Sequence, residues 1–237
     1  MGEGNTPNSL GADPLSPWES GECLVFAGEG GSNDLMKRIG IMGGTFNPVH
    51  KGHLALAQKA MDEFVLDQVI FVPAGTPPHK DAGEIIDKEH RFKMVRAAIR
   101  GQKNFTVSRM EMDREGVSYA VDTFNQLKQE YGSEAKLFYI MGLDSINEIL
   151  EWKKPLELFG LCEFIVGTRP GTRIRTFKRL VKFPPLQKEV DKIHLMELQE
   201  NISSSDIRQR VRCGQSVREL LPKSIESYIK KNGIYRK

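Results

Sequence analysis

The sequence predicts an α/β protein whose mainly parallel, doubly wound sheet carries helices on both faces. Three observations lead there. From Lys37 onward, short β-prone runs alternate with runs of helical period, the cadence of right-handed β-α-β crossovers. One run, "QVIFV" (68–72), is apolar almost throughout, as a strand buried on both faces must be. Gly- and Pro-rich stretches follow several strands, at the carboxyl ends where ligands sit in such sheets.

The elements follow in order. "RIGIM" (38–42) is β-prone and ends at Gly-Gly. "HLALAQKAMDEF" (53–64) repeats apolar residues at Leu54, Ala57, Met61 and Phe64, one face of a helix that begins near Lys51. "QVIFV" runs into the breaker-rich "PAGTPPHK" (73–80). "KEHRFKMVRAAI" (88–99) reads as a helix, "FTVSRMEM" (105–112) as a strand and "YAVDTFNQLKQEY" (119–131) as a helix. Further strands are expected at "KLFYIMG" (136–142), "CEFIVGTR" (162–169) and "KIHLMEL" (192–198). Helices "SSDIRQRVR" (204–212) and "KSIESYIKK" (223–231) close the pattern. There is no internal repeat.

The first 35 residues differ: seven Gly, three Pro, six acids and no Lys or Arg. They read as a disordered extension, 1–35, ahead of a single domain, 36–237. Acidic composition argues against a targeting peptide, which needs positive charge. Taking those six negative charges out of the net +3 leaves the other 202 residues at +9, a balance suited to anionic substrates. No apolar run approaches the roughly 20 residues of a membrane helix. Three separated cysteines, Cys23, Cys162 and Cys213, fit a reducing compartment, so the cytoplasm is the expected location.

"GGTFNPVHKGHL" (43–54) carries the most chemistry. Gly43 and Gly44 let backbone approach a ligand where a Cβ would collide. His50 and His53, three residues apart, face the same way at a helix N-terminus, where N–H groups and the helix dipole attract phosphate. Imidazole donors there can follow charge onto a transferring phosphoryl group. Zinc would want three or four protein ligands, and none completes this pair; two ordinary surface histidines are the other reading.

In "NISSSDIRQR" (201–210), Ser203 or Ser204 can cap a helix with Asp206 completing the box. Hydroxyls followed by Arg208 equally suit a polyphosphate. "PAGTPPHK" offers Thr76, His79 and Lys80 to a second anionic ligand, or is a stiff solvated loop. Asp144 of "GLDSINEILEW" stands at a helix start, as a cap or as acceptor for a ribose hydroxyl. Trp152 is a core anchor or a stacking platform. The run "RPGTRIRTFKRLVK" (169–182) has six basic residues and no acid; with sparse aromatics it reads as a solvated face rather than a nucleic-acid site.

Together these stretches resemble one family. "GGTFNPVHKGHL" is similar to the G-x-F-x-P-x-H-x-G-H signature of the HIGH-type nucleotidylyltransferases, and "ISSSDIR" to their I-S-S-T-x-I-R signature. "PPHK", "HRFKM", "REGVSYAVDT", "GLDS…W", "RPG" and "YIKKNGIY" resemble the bacterial nicotinate-nucleotide adenylyltransferases, from Lys37 to Tyr235. The resemblance implies a Rossmann-like fold and transfer of AMP from ATP to nicotinate mononucleotide in NAD biosynthesis. It implies that His50 and His53 are catalytic. Gly43, Gly44, Thr45, Phe46, His50, His53, Gly142, Asp144, Ser203, Ser204 and Arg208 would bind ATP. Thr76, His79, Lys80, Ser118, Tyr119 and Trp152 would bind the mononucleotide. Mg²⁺ would arrive with ATP, and no nucleic-acid or membrane partner is implied. Three positions depart from the family pattern: Asn47 for Asp, Ser205 for Thr, and Ala120 for the Thr of S-Y-T near the pyridine carboxylate. Backbone N–H groups around Ala120 remain available to that carboxylate. Pantetheine-phosphate adenylyltransferases are shorter and lack the "PPHK" to "GLDS…W" series. A nucleotide sensor without catalysis would not need both histidines.

Overall fold

Period-two packing on both sheet faces organises the computed structural model, which describes residues 36–78, 85–168, 187–198 and 202–236. Six strands lie among them: β1 (Lys37–Gly44), β2 (Gln68–Pro73), β3 (Phe105–Val107), β4 (Ala135–Gly142), β5 (Glu163–Thr168) and β6 (Ile193–Glu197). Every neighbouring pair is parallel, in the order β3-β2-β1-β4-β5-β6. The described helices are α1 (Lys51–Glu63), α2 (Lys88–Ala98), α3 (Ala120–Tyr131), α4 (Leu143–Asn147), α5 (Pro155–Leu161), α6 (Ser204–Arg212) and α7 (Lys223–Asn232). This is the doubly wound α/β architecture that the cadence predicts. The chain winds outward from β1 in one direction, returns at β4 and winds outward in the other. The β1/β4 junction is thus the switch point, where such sheets open a crevice.

Ile39, Ile41, Ile70, Val72, Leu137, Tyr139, Phe164 and Val166 project to one core with Phe124 and Leu127 of α3. Their alternates Met42, Val69, Phe71, Phe138, Ile140 and Ile165 project to the other, with Leu56 and Ala57 of α1, Met94 and Val95 of α2, and Ile225 and Ile229 of α7. Because both faces of the central strands are covered, β2, β4 and β5 carry near-continuous buried runs, while the edge strand β6 alternates. Leu35–Lys237 forms one compact unit. Among the described residues no helix is long and apolar enough to cross a membrane. The segments 1–35 and 169–182, and with them the expected extension and basic run, lie outside the described residues.

Two local expectations change. The run read as a strand over 105–112 keeps that form only to Val107. Beyond it the chain turns, with the Met112 and Asp113 N–H groups both donating to the Arg109 carbonyl at 2.7 and 2.9 Å. The Arg109 side chain meets Glu89 and Asp113, so the segment folds back instead of extending the ladder. α5 is additional, a short helix opened by Pro155 at its first turn, the place where a missing N–H costs nothing.

Candidate active site

The crevice is built at the end of β1. A Cβ on Gly43 would stand 2.8 Å from the Tyr139 hydroxyl, so any larger residue here would push the Tyr139 ring out of the crevice wall. Phe46, buried and at φ +49°, holds a conformation that side chains other than glycine rarely adopt. It packs on Phe71 and edge-on to His53, at ring separations of 5.9 and 5.1 Å. Asn47, 4% exposed, accepts at Oδ1 from the Tyr235 hydroxyl at 2.7 Å and from the Ile86 N–H at 3.4 Å. The loop is therefore fixed before it reaches the histidines.

His50 is the N-cap of α1, and His53 is its N3 residue. His50 Nδ1 accepts from the His53 N–H at 3.4 Å, and His53 Nδ1 accepts from the His50 N–H at 3.2 Å. This is a capping box made of imidazoles, satisfying helix-end donors as Ser and Glu do elsewhere. Accepting at both Nδ1 atoms assigns the ring protons to Nε2, on the far side of each ring. The rings stack at 3.7 Å. Burial lowers the pKa of His50 from 6.5 to about 4, so near pH 7 it is a neutral N–H donor. The three-residue spacing thus caps the helix and aims two donors together.

α6 closes the other side. Ser203 accepts from the Asp206 N–H at 3.1 Å as its N-cap. Ser204 Oγ donates to the Pro48 carbonyl at 2.9 Å. Arg208 reaches the Asn47 carbonyl with Nη1 at 3.1 Å and Ser205 Oγ with Nη2 at 3.3 Å. A cleft of about 810 Å³ lies between these walls. Gly43, Gly44, Thr45, Phe46, His50, His53, Gly142, Asp144, Ser203, Ser204 and Arg208 all line it. Every residue that the resemblance assigns to ATP is therefore brought to one cavity. Gly142, the N-cap of α4, makes no side-chain cap bond, which leaves helix-end N–H groups on that wall.

A second cavity of about 200 Å³ adjoins the first, sharing Gly43, Gly44, Thr45, Tyr139 and Ser145 with it. Ser118, Tyr119 and Trp152 line it, together with Ala120, Glu111, Pro77, Pro78 and Lys153. Trp152 lies 6.0 Å from the Tyr139 ring, so it is a core neighbour and a cavity wall at once. Lys153 Nζ lies 4.4 Å over the Tyr119 ring and 3.0 Å from Asp122. Thr76 is exposed and is not among the residues lining either cavity; its backbone N–H donates to Ser118 Oγ at 3.2 Å. His79 and Lys80 lie outside the described residues.

Sequence reasoning missed Arg91 and Glu111. Arg91, 1% exposed, donates to the carbonyls of Thr45, Gly75 and Ile86 at 2.9, 3.0 and 3.2 Å, joining the loops after β1 and β2. It stands in the run "HRFKM" that carries part of the resemblance, and the physical signal was an arginine on the apolar face of a helix. Glu111, 7% exposed, accepts from the Thr123 hydroxyl at 2.6 Å; nothing in its run distinguished it from an exposed strand acid. Among the described residues, no group of three or more His, Cys, Asp or Glu comes together to hold a metal ion.

A crevice at a parallel-sheet switch point, with paired imidazoles and a serine-capped helix around it, is built to hold a nucleoside triphosphate. Residues 41–210 match the model of the cytidylyltransferase-like family, and the chain belongs to that family. The probable nicotinate-nucleotide adenylyltransferase of Moorella thermoacetica is 46% identical over 200 residues, covering 84% of this chain and 92% of that protein. Its counterpart from a Thermoanaerobacter species is 46% identical over 202 residues, covering 84% and 95%. Within the family, then, the chain is a member of the nicotinate-nucleotide adenylyltransferases. The Plasmodium falciparum nicotinic acid mononucleotide adenylyltransferase complexed with NaAD shares the fold, with a TM-score of 0.64 at 19% identity over 84% of this chain and 97% of that one.

Proposed function

We propose that this chain transfers AMP from magnesium-ATP to nicotinate mononucleotide, giving nicotinate adenine dinucleotide and pyrophosphate. The observation that carries the reading is the meeting of two cavities at Gly43–Thr45, beside the imidazole pair. The large cavity has room for a nucleoside triphosphate and the small one for a pyridine ring. The relatives at 46% identity carry the same activity in their names.

In this reading the acceptor's 5′-phosphate oxygen attacks the α-phosphorus of ATP, and the bond to the bridging oxygen of pyrophosphate breaks. No side chain acts as a nucleophile, so the protein's work is positioning and charge stabilisation. His50 and His53 offer Nε2–H groups to the α-phosphoryl oxygens. The α6 N-terminus with Ser203, Ser204 and Arg208 takes the β and γ phosphates. Gly142 and Asp144 lie along the adenosine. Tyr119 at the N-cap of α3 makes no side-chain cap bond, so the N–H groups of Tyr119 and Ala120 suit the pyridine carboxylate. Trp152 stacks on the ring, and the family resemblance alone assigns His79 and Lys80 to the mononucleotide. The described residues do not fit a resident metal ion; Mg²⁺ belongs to the nucleotide substrate. Small substrates alone, without nucleic acid or membrane, and a cytoplasmic setting complete the reading.

The test supplies magnesium-ATP with nicotinate mononucleotide or nicotinamide mononucleotide and follows pyrophosphate. Preferred turnover of the nicotinate acceptor is expected. Preference for the amide would overturn the acceptor assignment, and pyrophosphate release from neither would overturn the activity.

A further inference from the structure

We propose that Glu111 is a positioning residue for the acceptor cavity, acting through Ser118 to hold two of its walls in register. The inference rests on the assignment of the smaller cavity to the mononucleotide. One wall is the turn after β2, from Ala74 to Pro78; the other is the start of α3, from Ser118 to Ala120.

The argument is one of donors and acceptors. Ser118 Oγ accepts from the Gly75 N–H at 3.0 Å and the Thr76 N–H at 3.2 Å. Both lone pairs are then used, and its single proton goes to the Glu111 carboxylate. Thr123 sends its hydroxyl proton to Glu111 Oε1 at 2.6 Å while accepting from Arg114 Nη1 at 3.2 Å. Glu111 therefore receives two hydroxyl protons, and through Ser118 it fixes two backbone N–H groups across the cavity. Burial pushes the Glu111 pKa up, while the two hydroxyls and Arg114 pull against that rise. Backbone packing reinforces the link: a Cβ on Gly75 would collide with the Glu111 carbonyl. The Ser118 N–H donates back to the Thr76 carbonyl at 2.9 Å, so the two walls are stitched in both directions. A shift of either wall would change the distance between the ring pocket and the α-phosphorus, which a transfer reaction senses sharply.

Glu111→Gln is nearly isosteric, but its NH₂ group cannot accept a proton, so one hydroxyl loses its partner. In the full chain, KM for nicotinate mononucleotide should rise about tenfold, the equivalent of one lost hydrogen bond. KM for ATP should stay within about twofold, since the ATP cavity contains neither Glu111 nor Ser118. Ser118→Ala should give a similar split. The double variant should be no worse than Ser118→Ala alone, because residues acting through one another are not additive. Additive losses, equal rises in both KM values, or an unchanged acceptor KM would overturn the proposal. Wild-type protein inactive with nicotinate mononucleotide would instead overturn the function on which the proposal rests, and the proposal with it.

Discussion

The cap that His50 provides and the donor role proposed for it pull its chemistry the same way. As an N-cap it must keep Nδ1 free of a proton, and burial supplies that by lowering its pKa from 6.5 to about 4. The unfolded chain takes up a proton near pH 6.5, and the folded chain resists until near pH 4. This contribution to stability is therefore complete above pH 6.5 and is lost as pH falls toward 4. At 1.36 kcal/mol per pKa unit the loss is at most roughly 3 kcal/mol. Melting temperature of the ligand-free protein should fall over that interval. His50→Asn, which keeps a capping acceptor and does not titrate, should flatten the fall; an equal slope in both proteins would remove His50 as the cause. His53→Ala tests the other function. The backbone N–H that His50 caps is still present, so the helix should survive. Turnover should drop by roughly 10² to 10³, the usual effect of removing one transition-state donor, and near-normal turnover of a folded variant would refute the role.

Among elements, α6 and α2 hold the loops that bear the chemistry. Arg208 spans from α6 to the Asn47 carbonyl with one nitrogen and to Ser205 with the other. Lysine keeps the charge and loses the fork. Arg208→Lys should weaken ATP use by about 1 to 3 kcal/mol and leave the acceptor KM nearly unchanged. A larger acceptor effect in steady-state kinetics would reverse the placement of the two ligands. The strands and α6 were legible because their cause is local: apolar runs buried on both faces, and a serine before a helical period. The crevice residues were legible as three compact strings, 43–54, 142–144 and 201–210. Arg91 and Glu111 were not, since their partners Thr45, Gly75 and Thr123 come from other elements, and no helical or strand period relates those pairs. The over-long strand at 105–112 failed likewise, as Arg109 draws its bonds from Glu89, 20 residues earlier.

At the scale of the whole molecule, charge and architecture divide at the same place. The first 35 residues carry six acids and no base. β1 begins at Lys37, and the compact unit runs from Leu35 to the end. Both cavities are lined by residues between Met42 and Arg208. A chain starting at Met36 keeps every described strand, both cores and the residues that line the two cavities, and its net charge moves from +3 to +9. Melting temperature and turnover at physiological ionic strength should therefore match the full chain. The Debye length there is about 8 Å, so exposed charges farther off are largely screened. At low salt the six lost negative charges should matter. The more positive protein should draw its anionic substrates faster and show a lower KM for ATP, an advantage that shrinks as salt is added. A large fall in melting temperature on truncation would mean that the first 35 residues pack against the domain. A KM difference that persists at high salt would mean that they touch the substrate path directly.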